Sequence, residues 1–204
     1  MTPVIDFYFD FSSPYGYLAA QQVEGLAARH RACVNWRPFL LGAVLKLTGG
    51  QSPLEQPIKG AYLRHDLERS ARELGVPFRL PERFPFGTIA ACRAFYLVEK
   101  TDPTGAVRLA KAIYHAAFAE GRDICPVETV VAIAAGLGFD GDDILERLQR
   151  PEIKVVLKRE VDAAIARGVC GSPFFFVEDE PFWGQDRLAQ VESRLERGDH
   201  AASA

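Results

Sequence analysis

The stretch VIDFYFDFSSPYGYLA, residues 4–19, decides the fold. From Val4 to Phe11, Ile5, Phe7, Phe9 and Phe11 fall on one face and Asp6, Tyr8 and Asp10 on the other. That period of two, in a run rich in aromatic residues, predicts a strand. Ser12-Ser13-Pro14 breaks it. Ser13 followed by Pro14 is a helix start: a serine hydroxyl caps free N–H groups, and proline lacks only an N–H that would have no partner there. Leu18, Gln22, Val23, Leu26 and Ala27 then recur at helical spacing, which predicts one helix, and CVNWRPF (Cys33–Phe39) predicts a second strand.

The other end of the chain has the same character. Ser172-Pro173 precedes an aromatic strand, Phe174–Glu178, and Asp179-Glu180 turns the chain into another that ends at Phe182-Trp183. Gly184-Gln185-Asp186 leads into a helix carrying Leu188, Val191 and Leu195, and the small polar tail from Gly198 is expected to fray. Between these ends strand signal is nearly absent. Leu63, Leu67, Ala71 and Leu74 mark a helix stopped by Gly75; Thr88 is placed to cap another with Ala91, Phe95 and Val98. Pro103, Pro126 and Pro151 open further helices, and Ile144, Leu145 and Leu148 mark a short one. The class is α/β: residues 1–40 and 170–204 build one sheet domain, and 41–169 form an all-helical domain inserted into it.

Composition narrows the function classes. Of 204 residues, 48% are hydrophobic and 25% charged, enough for a sizeable core, and the net charge of −3 gives no footprint for nucleic acid. No basic block suits a membrane surface, and apolar runs are too short to span a bilayer. The start, MTPVIDFYFDF, has no basic segment and does not read as a secretory signal, so a cytoplasmic location is expected. Cys33, Cys92, Cys125 and Cys170 lie far apart, with no C-x-x-C pair and no cluster with His30, His65, His115 or His200. Neither a disulfide framework nor a metal site is expected, and the cysteines are expected to pack as small reduced hydrophobes.

Three short pieces carry the chemistry. Ser13-Pro14-Tyr15 stands at a strand-to-helix turn, where a helix N-terminus favours an anion such as a thiolate; Ser13 is either part of such a site or simply a cap. Gly171-Ser172-Pro173 stands before a strand, where the backbone of Ser172 either pairs with an extended peptide ligand or merely starts an edge. Trp183-Gly184-Gln185-Asp186 stands at another helix start, able to hold an ammonium or amide group, or else to stabilise the helix dipole through Asp186.

DFYFDFSSPYGYLA, GVCGSPFFFV and FWGQDRL, together with PIKGAYLRHDLERSARELGVPF in the middle, resemble the 2-hydroxychromene-2-carboxylate isomerases. These belong to the DsbA-like, kappa-class glutathione transferase group of thioredoxin-like folds. The resemblance covers nearly the whole chain and implies a thioredoxin-like fold with a large all-helical insertion. It implies glutathione as cofactor, with Ser13 activating its thiol, Ser172 and Pro173 meeting its backbone, and Trp183, Gly184, Gln185 and Asp186 gripping its glutamyl end. The implied reaction is cis–trans isomerisation of an unsaturated hydroxyaryl pyruvate by addition of the glutathione thiolate, rotation and elimination, with conjugation of an electrophile as the alternative. Lys46 is placed to face a small aromatic carboxylate substrate, and Tyr15, Phe86 and Trp183 are candidates to wall it, or else core residues. A homodimer is implied as well. Serine in the place of a redox cysteine rules out disulfide exchange at position 13. Two departures stand out: Gly87 where the family commonly has Asn, which removes a polar contact to substrate, and Gly16 where it often has Ser.

Overall fold

The computed structural model describes the backbone of residues 2–201 and the side chains as far as Arg197. Four strands form one mixed sheet in the order β2-β1-β3-β4. Strands β1 (Val4–Phe9) and β2 (Cys33–Pro38) pair parallel, joined by α1 (Pro14–Ala20) and α2 (Val23–Arg29). Strand β3 (Phe174–Val177) runs antiparallel to both β1 and β4 (Glu180–Trp183). Seven helices lie between β2 and β3 in sequence: α3 (Leu41–Thr48), α4 (Pro57–Leu74), α5 (Ile89–Glu99), α6 (Pro103–Phe118), α7 (Val127–Gly136), α8 (Gly141–Gln149) and α9 (Pro151–Ala166). Helix α10 (Leu188–Ala201) follows β4. This is a thioredoxin-like sheet with a helical insertion.

The alternation in β1 is real, but its second face is covered from Tyr8 onward. Ile5, Phe7, Phe9 and Phe11 are fully buried, and so, nearly, are Tyr8 and Asp10. Phe7 stacks on Phe9 and Phe175 with ring centroids 4.9 and 5.2 Å apart, and Trp36 meets both Phe7 and Phe9 edge-on. On the opposite face Arg167 lays its guanidinium 3.9 Å from the Phe176 centroid and pairs with Asp6 at 2.5 Å. Tyr17, Tyr114 and Phe118, all buried, join α1 and α6 to this aromatic core.

Some boundaries differ from the sequence reading. The strands end at Phe9 and Pro38 rather than Phe11 and Phe39. The single helix expected after Ser13 is two, because Gln22 N–H donates to the Ala19 carbonyl three residues back and tightens the last turn of α1. Helix α3 has no counterpart in the sequence reading, although Leu41, Val44 and Leu45 stand at helical spacing; Val44 is its one fully buried residue. Of the cysteines, all free thiols, only Cys92 is buried; Cys33, Cys125 and Cys170 are exposed and do not serve as packing residues. The tail expected to fray from Gly198 is helical to Ala201, and residues 202–204 lie outside the described residues. No helix among the described residues is long and apolar enough to cross a membrane.

Candidate active site

Ser13 is held between two distant parts of the chain. Its Oγ accepts the Gly16 N–H at 3.0 Å, which makes it the N-cap of α1. The same hydroxyl donates to the Ser172 carbonyl at 2.8 Å. The two alternatives for Ser13 are therefore not exclusive: it caps, and its proton is directed at the turn before β3. With only seven residues in α1, the useful feature of the helix start is local. Tyr15 N–H and Ser172 N–H have no hydrogen-bond partner among the described residues.

Ser172 is fastened as well. Its Oγ accepts the Asp10 N–H at 2.9 Å, so the end of β1 and the start of β3 are tied by a side chain where the ladder stops. The Ser172–Pro173 peptide is cis, and the Pro173 carbonyl accepts the Gly184 N–H at 3.0 Å. That bond brings Trp183-Gly184-Gln185-Asp186 to the same end of the sheet. Gly184 has φ +116°, which a side chain would strain, and a Cβ there would come 2.4 Å from Asp186 Oδ1. A Cβ on Gly171 would come 2.1 Å from Trp183 Nε1, so the indole lies across the Gly171 backbone. Trp183 is still 60% exposed, and the Asp186 side chain is 70% exposed with Arg187 beside it at 3.4 Å.

Beneath Ser13 lies a buried carboxylate that the alternation of β1 concealed. Asp10 is 2% exposed. Its Oδ1 accepts Ser12 N–H at 2.8 Å and the Thr88 hydroxyl at 2.9 Å; its Oδ2 accepts Leu41 N–H at 2.6 Å. Its carbonyl accepts Ser13 N–H and, at 2.9 Å, the hydroxyl of Tyr114. Burial pushes the Asp10 carboxyl above the ordinary value, against the pull of those donors. Thr88, expected as a helix cap, sits in the N-cap position of α5 but gives its hydroxyl to Asp10 and caps nothing. An Asp three residues before a Ser-Pro helix start was the available signal; alternation assigned it to the wrong environment.

Residues 4–196 match the family of DsbA-like thioredoxin domains. A 2-hydroxychromene-2-carboxylate isomerase from Sphingobium xenophagum is 32% identical, over 96% of this chain and 99% of that one. The chain belongs to the DsbA-like thioredoxin family, in the branch of the 2-hydroxychromene-2-carboxylate isomerases and kappa-class glutathione transferases. Glutathione S-transferase kappa 2 of Caenorhabditis elegans is 30% identical over 92% of this chain and 89% of its own. A solved structure of 2-hydroxychromene-2-carboxylate isomerase superposes with a TM-score of 0.89 over 98% of both chains at 29% identity.

The remaining members of the predicted site are distributed around this branch's Ser-Pro turn unevenly. Tyr15 is half-buried and donates its hydroxyl to Asp66 Oδ2 of α4 at 2.6 Å; burial, then Asp66, pushes its phenol pKa up. Phe86 is 8% exposed and packs against Phe84 and Phe118, so its ring belongs to the core. Lys46 is exposed in the last turn of α3. The two glycine departures differ in kind. A Cβ on Gly16 would lie 2.5 Å from Tyr114 Oη, whereas on Gly87 it would meet Cys125 Sγ at an ordinary 3.6 Å. Packing demands glycine at 16 and leaves 87 free.

Proposed function

We propose that the protein is a glutathione-dependent isomerase acting on a hydroxychromene carboxylate or its open benzylidenepyruvate form, with Ser13 as the group that meets the sulfur. The observation that carries this reading is the Ser13 hydroxyl held between Gly16 N–H and the Ser172 carbonyl. Gly16 N–H polarises the oxygen, so its proton is a better donor. Rotation about Cβ–Oγ turns that proton from the carbonyl toward an anion, while Gly16 keeps the oxygen in place. Tyr15 N–H and Ser172 N–H are available to the same ligand, and preorganised donors of this kind favour a thiolate over a thiol. A shift of about two pKa units, roughly 2.7 kcal/mol, makes most bound glutathione anionic near neutral pH.

The rest of the site fits a tripeptide. The unpaired Ser172 N–H suits the backbone of an extended peptide, as in strand addition. The open Gly184 turn lets backbone approach closely, and exposed Asp186 suits the α-ammonium of a glutamyl end. Bound glutathione supplies the sulfur nucleophile whose addition and departure free a carbon–carbon bond to rotate. Lys46, on α3, is the cation available for the substrate carboxylate. The enzyme acts in the cytoplasm as a homodimer on this reading.

The test is turnover of a hydroxychromene carboxylate with glutathione, together with thiolate absorbance against pH. Ser13→Ala is expected to lower turnover by about 100-fold or more and to raise the pKa of bound glutathione, with the fold intact. Near-native turnover in that variant rejects the role of Ser13. Conjugation is the second reading, favoured by the kappa-class relative. Release of a stable glutathione adduct from chloronitrobenzene, with no isomerisation, selects it.

A further inference from the structure

One cleft of the molecule does not open at Ser13. It has a volume of about 510 Å³ and lies where α5, α7, α8 and α9 meet. Ile89, Ala90, Val127 and Leu148 give it an apolar wall; Arg93 and Lys154 give it two cations. Arg93 Nε is buried with no hydrogen-bond partner among the described residues. A buried guanidinium N–H without an acceptor is costly. Lys154 is exposed and has no carboxylate partner among the described residues, for the ion pairs of α8 and α9 use Arg147, Arg150, Lys158 and Arg159.

The backbone adds to this. Helices α5 and α7 begin at the cleft without a side-chain cap, and α8 ends there with Leu148 and Gln149. The side chain that stands at the α5 cap position, Thr88, is turned away to Asp10. The uncapped first turns of α5 and α7 leave N–H groups and a partial positive charge beside that wall. Glu128 and Glu152, the acids of the α7 and α9 first turns, are not part of the wall. The volume is that of a small-molecule site, and polar groups set in apolar walls are how such sites orient a ligand.

We infer that this cleft binds a small organic anion, a carboxylate on an apolar body, at a site separate from Ser13. Helix α5 is the partition. Its Thr88 and Cys92 face Asp10 and the Phe39 carbonyl, while Ile89, Ala90 and Arg93 face the cleft. The inference does not depend on glutathione.

Biphenyl-4-carboxylate is the probe, followed by amide chemical shifts in the full-length protein. It is expected to move Ile89, Ala90 and Val127, with the same affinity in Ser13→Ala. Lys154→Gln, a surface change that leaves the fold alone, is expected to weaken binding about tenfold, and Lys154→Arg to restore it. Arg93→Gln is expected to cost at least as much. Equal binding of biphenyl-4-carboxamide overturns the inference, because charge is then not read. Equal binding of inorganic phosphate overturns it too, because the apolar wall is then idle. So does a response confined to residues near Ser13, or an affinity untouched by both Lys154→Gln and Arg93→Gln.

Discussion

The two ends of the Ser13 site are built in opposite ways. At one end Asp10, Ser13, Thr88, Tyr114 and Ser172 are locked together by hydrogen bonds that cross four distant segments, with Asp10 2% and Ser13 5% exposed. At the other, Trp183 and Asp186 stand largely in solvent, held by the Gly184 turn, the β3–β4 pairing and the Gly171 backbone against the indole. A group that must meet a reacting atom has to be held before the ligand arrives, and buried polar networks do that. Groups that recognise a flexible peptide end tolerate freedom. The contrast separates stability from binding, and it can be broken.

Asp10→Ala is the harshest way. It strands Ser12 N–H, Leu41 N–H and the Thr88 hydroxyl, and each buried orphan costs about 1–3 kcal/mol, so a loss of about 3–5 kcal/mol in denaturant unfolding is expected. Asp186→Ala, with the same loss of a carboxylate, is expected to leave stability within about 0.5 kcal/mol and to weaken glutathione binding instead. Comparable destabilisation by both variants erases the distinction.

Sequence showed the rim more clearly than the knot. Trp183-Gly184-Gln185-Asp186 and Ser172-Pro173 are contiguous motifs whose residue types announce turns and helix starts, and the structure brings both to the Ser13 turn. The succession of strands and helices along the chain was legible for the same reason: periodicity and Pro, Ser and Gly punctuation are local. Asp10 was not, because period two reports which face a residue takes and not whether another layer covers that face. Tyr114 lies in the helix that Pro103 opens, and nothing near it in sequence shows that its hydroxyl reaches 104 positions back to Asp10. The split between α1 and α2 was hidden likewise, since it depends on a single tight turn; helix α3 was legible in Leu41, Val44 and Leu45 and was missed because the stripe is short.

Gly16 sharpens the contrast at the next level. Gly16→Ser is expected to cost about 1–3 kcal/mol, because its Cβ has no room beside Tyr114 Oη. Tyr114→Phe removes that oxygen and is expected to recover part of the loss, so a double-mutant cycle reads the clash directly. Simple additivity means that Tyr114 is not what requires glycine.

The pH dependence of stability sets Asp10 against Asp6, two carboxyls of one segment. Burial raises Asp10, so the folded protein keeps a proton that the unfolded chain gives up, and stability falls as pH rises from about 4 through the folded value. Asp6 has the reverse sign. Burial pushes it up, but Arg167, Asn35 and Arg37 pull it lower overall, so its contribution is present above the ordinary carboxyl value and is lost on acidification. Asp10→Asn is expected to flatten the decline on the higher-pH side, and Asp6→Asn the decline on the acid side, each by no more than about 1.4 kcal/mol per pH unit. Denaturation midpoints across pH 3–8 measure both, and an unchanged higher-pH slope in Asp10→Asn assigns that slope to another group.

The smallest effect on stability falls at the other glycine. Gly87 has ordinary space around it, with Cys125 Sγ at 3.6 Å from an added Cβ, so Gly87→Asn is expected to change stability by less than about 0.5 kcal/mol. Gly87 also lines the cleft beside α5; if a polar group at this position serves the Ser13 reaction and not that cleft, the variant lowers KM for a hydroxychromene carboxylate while leaving glutathione binding alone. The pair of glycines then divides cleanly: position 16 is glycine because the Tyr114–Asp10 bond occupies the space a side chain would need, and position 87 is glycine with no steric demand behind it. Only a residue of the second kind is free to change with the substrate, so a Gly87→Asn protein with unaltered kinetics toward several aromatic carboxylates moves substrate choice elsewhere, to Lys46 and α3.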